Sequence, residues 1–252
     1  MKNKAARMII TILSLITVAA ILLGLYINVF SGRKKFGPMG MVSDTMTFEE
    51  EVKEISIEVD AAKINVTEGD RLSVDYTLPA SEGTEVEMNN GKLSVRGGKN
   101  RSIFSLGQVH DLCVDITVPS GTKLDSFSLG LDAGDVSIGS FDAKQFSLNS
   151  DAGNIDIHKI NSDAFEITVD AGNISINDLA AGTASIEADA GNIEISNSRI
   201  DTIDAKADAG NIEVKASTVD KGSCETDLGN ISLNGDIGDV LTKTSLGNTS
   251  VN

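Results

Sequence analysis

Six carboxylates recur at one fixed interval along the chain, at Asp132, Asp151, Asp170, Asp189, Asp208 and Asp227. Residues at a constant short spacing stack in one column when each interval is one turn of a solenoid. Neighbouring carboxylates about 4.8 Å apart repel by roughly 0.9 kcal/mol in water. Two kinds of chemistry offset this. An aspartate can accept hydrogen bonds from its own downstream backbone N–H groups in an Asx turn, which is a structural role. A cation is the rival: calcium takes roughly six to eight oxygen ligands and bridges aspartates of adjacent turns in β-rolls. Such rolls carry a denser Gly/Asp pattern than the single marker here. The column is therefore read as a structural turn ladder, with the cation site as its competitor and no cofactor implied.

The other groups that carry chemistry are sparse. The only histidines are His110 and His158, and the only cysteines are Cys113 and Cys224. They show no metal-ligand spacing. Cys113 and Cys224 are several repeats apart, over roughly 20 Å at one strand spacing per repeat. A disulfide needs Cα atoms within about 7 Å, so both read as free thiols, with Cys224 in the core. No nucleophile elbow, zinc motif or phosphate loop is present. A polysaccharide-acting enzyme needs paired acids in a sugar-lined cleft, and this chain has no tryptophan and only Tyr26 and Tyr76 as tyrosines. The expectation is a protein that is not an enzyme.

The elements that must position these groups follow from the repeat. Its marker is Asp-Ala-Gly-Asn/Asp followed by two alternating apolar residues, and a degenerate copy at Ser245–Val251 follows at a spacing shorter by one. In residues 151–169, Ile155 and Ile157 flank Asp156, and Phe165, Ile167 and Val169 alternate with Glu166 and Thr168. Period-2 alternation marks strands with one buried face, and disfavours a helix, since apolar residues do not recur at three and four positions. Two short strands per repeat predict a flattened coil. Inward columns run Val136, Ile155, Ile174, Ile193, Ile212, Ile231 and Ile138, Ile157, Ile176, Ile195, Val214, Leu233, Val251. The opposite wall shrinks from Phe127, Phe146 and Phe165 to Ala184, Ile203 and Gly222. The marker alanine becomes Leu228 and then Leu246, which predicts compensating volume in the core. Asn154, Asn173, Asn192, Asn211 and Asn230 are expected to form an amide ladder.

The fold class expected is all-β: a single-stranded β-solenoid (β-helix) of 19-residue coils, with an irregular N-terminal β cap and one preceding transmembrane helix. Residues 113–252 form the repeats. Residues 44–112 keep the alternation without the marker and read as the cap. Residues 31–43 form a Gly-containing linker. Residues 8–30 hold no charge, and 23 residues at about 1.5 Å each cover roughly 34 Å, enough to cross a bilayer. Residues 1–7 then lie in the cytoplasm. Basic residues flank the span on both sides, so flanking charge does not orient it. Residues 36–252 carry 15 basic against 37 acidic residues. That balance disfavours nucleic acid and anionic inner-leaflet lipid, and places the domain outside a bacterial membrane. The last coil, ending at Val251 and Asn252, shows no obvious cap, so a homo-oligomer through this coil is a further expectation.

The sequence Asp115-Ile116-Thr117-Val118-Pro119 before Leu124, followed by the Gly-Asn/Asp-Ile-x-Ile repeats, resembles the bacterial "putative adhesin" domain-of-unknown-function family, including LiaG-like membrane-anchored proteins of Gram-positive envelopes. The resemblance covers roughly residues 50–252. It implies surface attachment and supplies no catalytic or binding residues. The functional expectation is a non-enzymatic, adhesin-like binding or scaffold module of the cell envelope, with a protein or envelope partner and a role in envelope stress. Self-assembly as a β-helical scaffold is the alternative.

Overall fold

The computed structural model describes residues 35–36, 41–80, 84–97 and 112–252. The apolar segment 8–30, its flank 1–7, His110 and most of the 31–43 linker lie outside the described residues. Among the described residues all regular structure is strand, and no helix is long and apolar enough to cross a membrane. The predicted all-β solenoid is present.

Its regular part begins at β9 (Lys123–Ala133) and β10 (Val136–Ile138), preceded in the chain by eight strands described below. It continues through β11 (Phe141–Ala152), β12 (Ile155–Ala171), β13 (Ile174–Ala190), β14 (Ile193–Ser196), β15 (Arg199–Ala209), β16 (Ile212–Leu228), β17 (Ile231–Leu246) and β18 (Thr249–Val251). Pairing along this series is parallel, each residue meeting its equivalent one repeat on: Phe146↔Phe165, Ile155↔Ile174, Ala184↔Ile203, Ile212↔Ile231. The last turn is shorter. Val214 pairs Leu233, but Ser217 pairs Gly235, so the missing residue falls at the corner holding Ala216.

Each turn has three inward-facing runs where two were expected. In β12 the buried positions are Ile155 and Ile157, then Ile160 and Ser162, then Phe165, Ile167 and Val169. Adjacent exposed residues at His158–Lys159 and Asp163–Ala164 break the alternation and mark the corners. The first of these corners places Lys159, Asp178, Asn197 and Ala216 at φ 47–60°. Left-handed backbone suits asparagine and aspartate best among non-glycine residues, and it lets the chain bend without leaving the ladder.

Only the second buried position of the middle wall trades volume with the third wall; the first shrinks with it, from Phe141 through Ile160 and Leu179 to Ser198 and Ser217, and the Ala184 turn carries Ala181. Turns bearing Phe146 and Phe165 have Ala143 and Ser162 just across the corner, whereas turns bearing Ile203 and Gly222 have Ile200 and Val219 there. The expected compensation at the marker alanine is corrected: that position points to solvent in every turn, and Leu228 and Leu246 are exposed. Val251, expected at the end of an inward column, is also exposed, because no further turn lies over β18; the inward columns from Val136 to Ile231 and from Ile138 to Leu233 are buried as predicted. Phe127, Phe146 and Phe165 stack with ring centroids 5.0 and 4.7 Å apart. Buried serines of the middle wall are satisfied locally: Ser198 Oγ accepts from Leu179 N–H at 3.0 Å and donates to the Ser196 carbonyl at 2.8 Å. Ser217 Oγ repeats this one turn on, accepting from Ser198 N–H at 3.0 Å.

The N-terminal strands are β1 (Lys35–Phe36), β2 (Met41–Phe48), β3 (Glu54–Ala61), β4 (Lys63–Gly69), β5 (Leu72–Pro79), β6 (Glu85–Asn89), β7 (Lys92–Arg96) and β8 (Cys113–Pro119). Two of them supply the third and first walls of a further solenoid turn. β3 pairs β9 in parallel and β4 pairs β10 in parallel, placing Ile55, Ile57 and Val59 under Phe127, Leu129 and Leu131, and Ile64 and Val66 under Val136 and Ile138. On its other side β3 pairs β7 and β4 pairs β8, again in parallel. The turn earliest in the chain is thus interposed between two later ones. Antiparallel strands close this end: β5 on β8, β2 on β5, β1 on β2, and β6 on β7.

Candidate functional site

The repeated corner between the third wall of one turn and the first wall of the next holds the marker residues. Its hydrogen bonds run through asparagine. Asn173 donates to Asn154 Oδ1 from its backbone N–H at 3.2 Å and from Nδ2 at 3.1 Å. Asn192, Asn211 and Asn230 each repeat this double donation to the asparagine before them, at 2.9–3.1 Å. Asn248 N–H ends the series on Asn230 Oδ1 at 3.0 Å. The expected amide ladder is present. Its first rung is Asp135, whose Oδ1 accepts both bonds from Asn154.

Glycine is required beside it. Gly153 sits at φ 145°, and a Cβ there would lie 1.9 Å from the Gly134 carbonyl oxygen. The close approach lets Gly153 N–H donate to the Ala171 carbonyl at 3.0 Å, which keeps the backbone ladder unbroken around the corner.

The aspartates Asp132, Asp151, Asp170, Asp189, Asp208 and Asp227 stand exposed in one column on the outer side of this corner. Asp208 Oδ1 lies 3.2 Å from Lys206 Nζ, and Asp227 Oδ1 accepts from Ser245 Oγ at 3.1 Å. Asp132 and Asp151 border a depression of about 150 Å³ with Glu58 and Asp60, opened by the missing side chain of Gly130. Among the described residues, no three carboxylate, imidazole or thiol groups converge closely enough to hold a metal ion. His158 is exposed, with Nε2 3.2 Å from Asp156 Oδ1.

The outer face of the third wall is polar and nearly flat. It presents small side chains in register, among them Ser126, Ser128, Ser147, Thr183, Ser185 and Thr202. A shallow hollow of about 380 Å³ on it is bordered by Gln145, Ser147, Ala164, Glu166, Thr183 and Ser185. Ion pairs between turns stripe the surface. Lys144 Nζ meets Asp125 at 2.6 Å, Lys206 meets Glu187 at 3.0 Å, Lys215 meets Glu194 at 3.0 Å, and Lys243 meets Glu225. The contact with Lys144 holds the Asp125 carboxyl below its usual range and raises the ammonium in return. Hydrogen bonds to Glu187 and Asp208 raise Lys206 likewise. All these pairs are solvated, so water and salt screen them and they add little to stability.

Both cysteines are free. Cys224 is buried in the third wall, and burial, then the nearby Asp204 charge, pushes its thiol up to about 12. Sequence reasoning did not find the exposed leucines Leu228, Leu241 and Leu246 as surface features, because Leu228 and Leu246 were expected to fill core volume lost from the opposite wall.

The geometry is shared with solved structures. A "putative adhesin" from Bacteroides fragilis NCTC 9343 is similar over 84% of this chain and 97% of its own, at 18% identity and a TM-score of 0.59. A "putative lipid binding protein" from Parabacteroides distasonis ATCC 8503 is similar over 85% of this chain and 98% of its own, at 17% identity and a TM-score of 0.56. At these identities the likeness shows the fold. Among curated proteins none matches the sequence. The family model Toastrack DUF4097 matches residues 52–241, which covers the interposed turn and the repeats alike, and the chain belongs to that family.

Proposed function

We propose that the chain is a non-enzymatic, adhesin-like binding module of a bacterial cell envelope, anchored through residues 8–30 and displaying its solenoid outside the cell. The observation that carries this reading is the outer surface of the solenoid. It is a stack of in-register polar rows whose openings are shallow, and such a surface suits an extended polymer or another protein better than a small substrate. An acidic domain behind an uncharged 23-residue segment fits the outer side of the membrane, away from nucleic acid. The similar structure from Bacteroides fragilis, described as a "putative adhesin", supports attachment as the class of activity.

Labelling intact cells tests the placement. Ser185→Cys in the full chain should react with a membrane-impermeant maleimide before lysis and to the same extent after it. Reaction only after lysis overturns the extracytoplasmic assignment. Retention of the full chain by isolated envelope fragments, reduced by Ser147→Lys and Thr183→Lys on the flat face, tests the binding role.

A further inference from the structure

The end of the solenoid formed by β17 and β18 is unlike the rest of the surface. Among the described residues, the large apolar side chains that stand exposed are Leu228 at 53%, Leu241 at 70%, Leu246 at 68% and Val251 at 51%, all at this end. β17 pairs β16 along its length, but β18 covers only Ile231–Leu233. The stretch Asp236–Leu246 therefore has a strand on one side. An exposed strand edge carrying apolar side chains is a template for pairing.

The backbone says which groups are offered. Within each wall, outward residues turn their N–H back to the turn behind, as Thr218 does to the Ser198 carbonyl at 2.8 Å. Inward residues turn theirs to the turn ahead, as Ile155 does to Asn173 and Ile174 to Asn192, both at 2.9 Å. On the third wall of β17 the inward residues are Val240, Thr242 and Thr244, in register with Gly222, Cys224 and Thr226. Their N–H and C=O groups face the open end.

The strand Asp239-Val240-Leu241-Thr242-Lys243 is self-complementary about Leu241. We propose that two copies of this chain join end to end by antiparallel pairing of β17 with β17 of the second copy, around a two-fold axis through Leu241. In that register Val240 of each copy exchanges hydrogen bonds with Thr242 of the other. Leu241 meets Leu241 at a non-hydrogen-bonded site, where Cα atoms approach to about 4.5 Å. Asp239 of each copy lies opposite Lys243 of the other, extending the row in which Lys206 already meets Glu187 and Lys243 meets Glu225. The half-buried Ile237 and Val240, which pack against the core from one side only, become covered. A two-fold contact uses the same patch on both copies and closes at the dimer.

The pairing does not depend on where the chain resides. A consequence does rest on the envelope reading: β1 and β2 lie at the far end of each solenoid, so a tip-to-tip dimer points its two membrane attachments in opposite directions and can bridge two surfaces.

The test uses the full chain in detergent micelles, by sedimentation across concentration. A monomer–dimer equilibrium is expected. Asp239→Lys and Lys243→Asp should each weaken the dimer at least about tenfold, by setting like charges opposite each other. The double variant Asp239→Lys/Lys243→Asp should restore it, which a merely misfolded variant would not do. Leu241→Cys should give a dimer on oxidation that reducing agent cleaves, with Ser185→Cys as a control that does not cross-link. A monomer at all concentrations, growth beyond the dimer, or charge variants that dimerise like the parent each overturn the proposal. Failure here leaves the labelling result on intact cells unaffected, so the two readings fail separately.

Discussion

Asn173 Oδ1 takes two hydrogen bonds from Asn192, one from the backbone N–H at 3.1 Å and one from Nδ2 at 3.0 Å. The same relation repeats along the corner and gives the amide ladder a direction: each rung donates toward the N-terminal end and accepts from the other. The first rung has no rung behind it to donate to. Asp135, which accepts and cannot donate when ionised, occupies that place. This accounts for the one Gly-Asp among the Gly-Asn markers.

The direction is testable by exchanging the two residue types. Asn173→Asp removes a donor and sets a carboxylate against Asn154 Oδ1, and should cost about 1–2 kcal/mol of unfolding free energy. Asp135→Asn keeps the acceptor and should cost under about 0.5 kcal/mol. Denaturant unfolding of the two variants compares them; equal losses would remove the directional account.

The glycine column should be far less tolerant than an isolated turn glycine. Gly153→Ala brings a methyl group into the Gly134 carbonyl and should destabilise by more than about 3 kcal/mol. Gly121 also has positive φ, at 76°, but a Cβ there meets nothing within 4 Å. Gly121→Ala should cost only the left-handed backbone penalty, about 1–2 kcal/mol. Thermal unfolding of both variants checks the contrast.

Ile174 is 1% exposed and stacked between Ile155 and Ile193. Ile174→Asp buries an unpaired charge in a one-dimensional stack, and several turns should become cleavable by protease at once. Mapping the first cuts by mass spectrometry measures this, and a protease-resistant variant would refute the core assignment.

Thiol chemistry should separate the two cysteines. At pH 8 Cys224 should resist a thiol reagent in the folded chain and react fully in denaturant. The ionisation of this thiol moves from its ordinary 9.0 to about 12 on folding. Between those values the unfolded chain has lost the proton and the folded chain keeps it, so stability falls as pH rises from about 9 to about 12 and is unaffected below that window. Cys224→Ala should remove this component of alkaline unfolding. Rapid modification of native Cys224 at pH 8 would contradict its burial.

Millimolar calcium should leave the melting temperature unchanged, since no three donors converge along the Asp132–Asp227 column. A calcium-dependent rise in melting temperature that Asp170→Asn abolishes would reinstate the cation.

Much of this was legible in the chain because a solenoid is nearly one-dimensional. Pairing one repeat apart turns sequence periodicity directly into contact, so the isoleucine columns, the phenylalanine stack and the amide ladder could be read from spacing alone. The middle wall was harder to see. Its runs are only two residues long, and Ser162, Ser198 and Ser217 put hydroxyls in buried positions, so the alternation is interrupted twice per turn. Leu228 and Leu246 misled for a related reason: apolar character implies burial only when the phase of the strand is known, and the marker corner reverses it. The interposed turn was invisible. Glu54 pairs Ser126 across 72 positions, without the marker, and nothing in either stretch names the other. The outer face was hidden by its ordinariness, since rows of serine and threonine gain meaning only in register.

The interposed turn also has a mechanical meaning. Tension entering through the N-terminal side first meets β1 and β2, antiparallel strands that can be unzipped, β1 from β2 and β2 from β5, one bond pair at a time. It next meets β3, which is hydrogen-bonded on both sides, to β7 and to β9, in parallel register. Pulling there loads many bonds in shear together, so the force needed rises sharply once β2 has peeled away. A chain tethered at that side would yield a little slack and then resist, passing the load through β9 into the repeats.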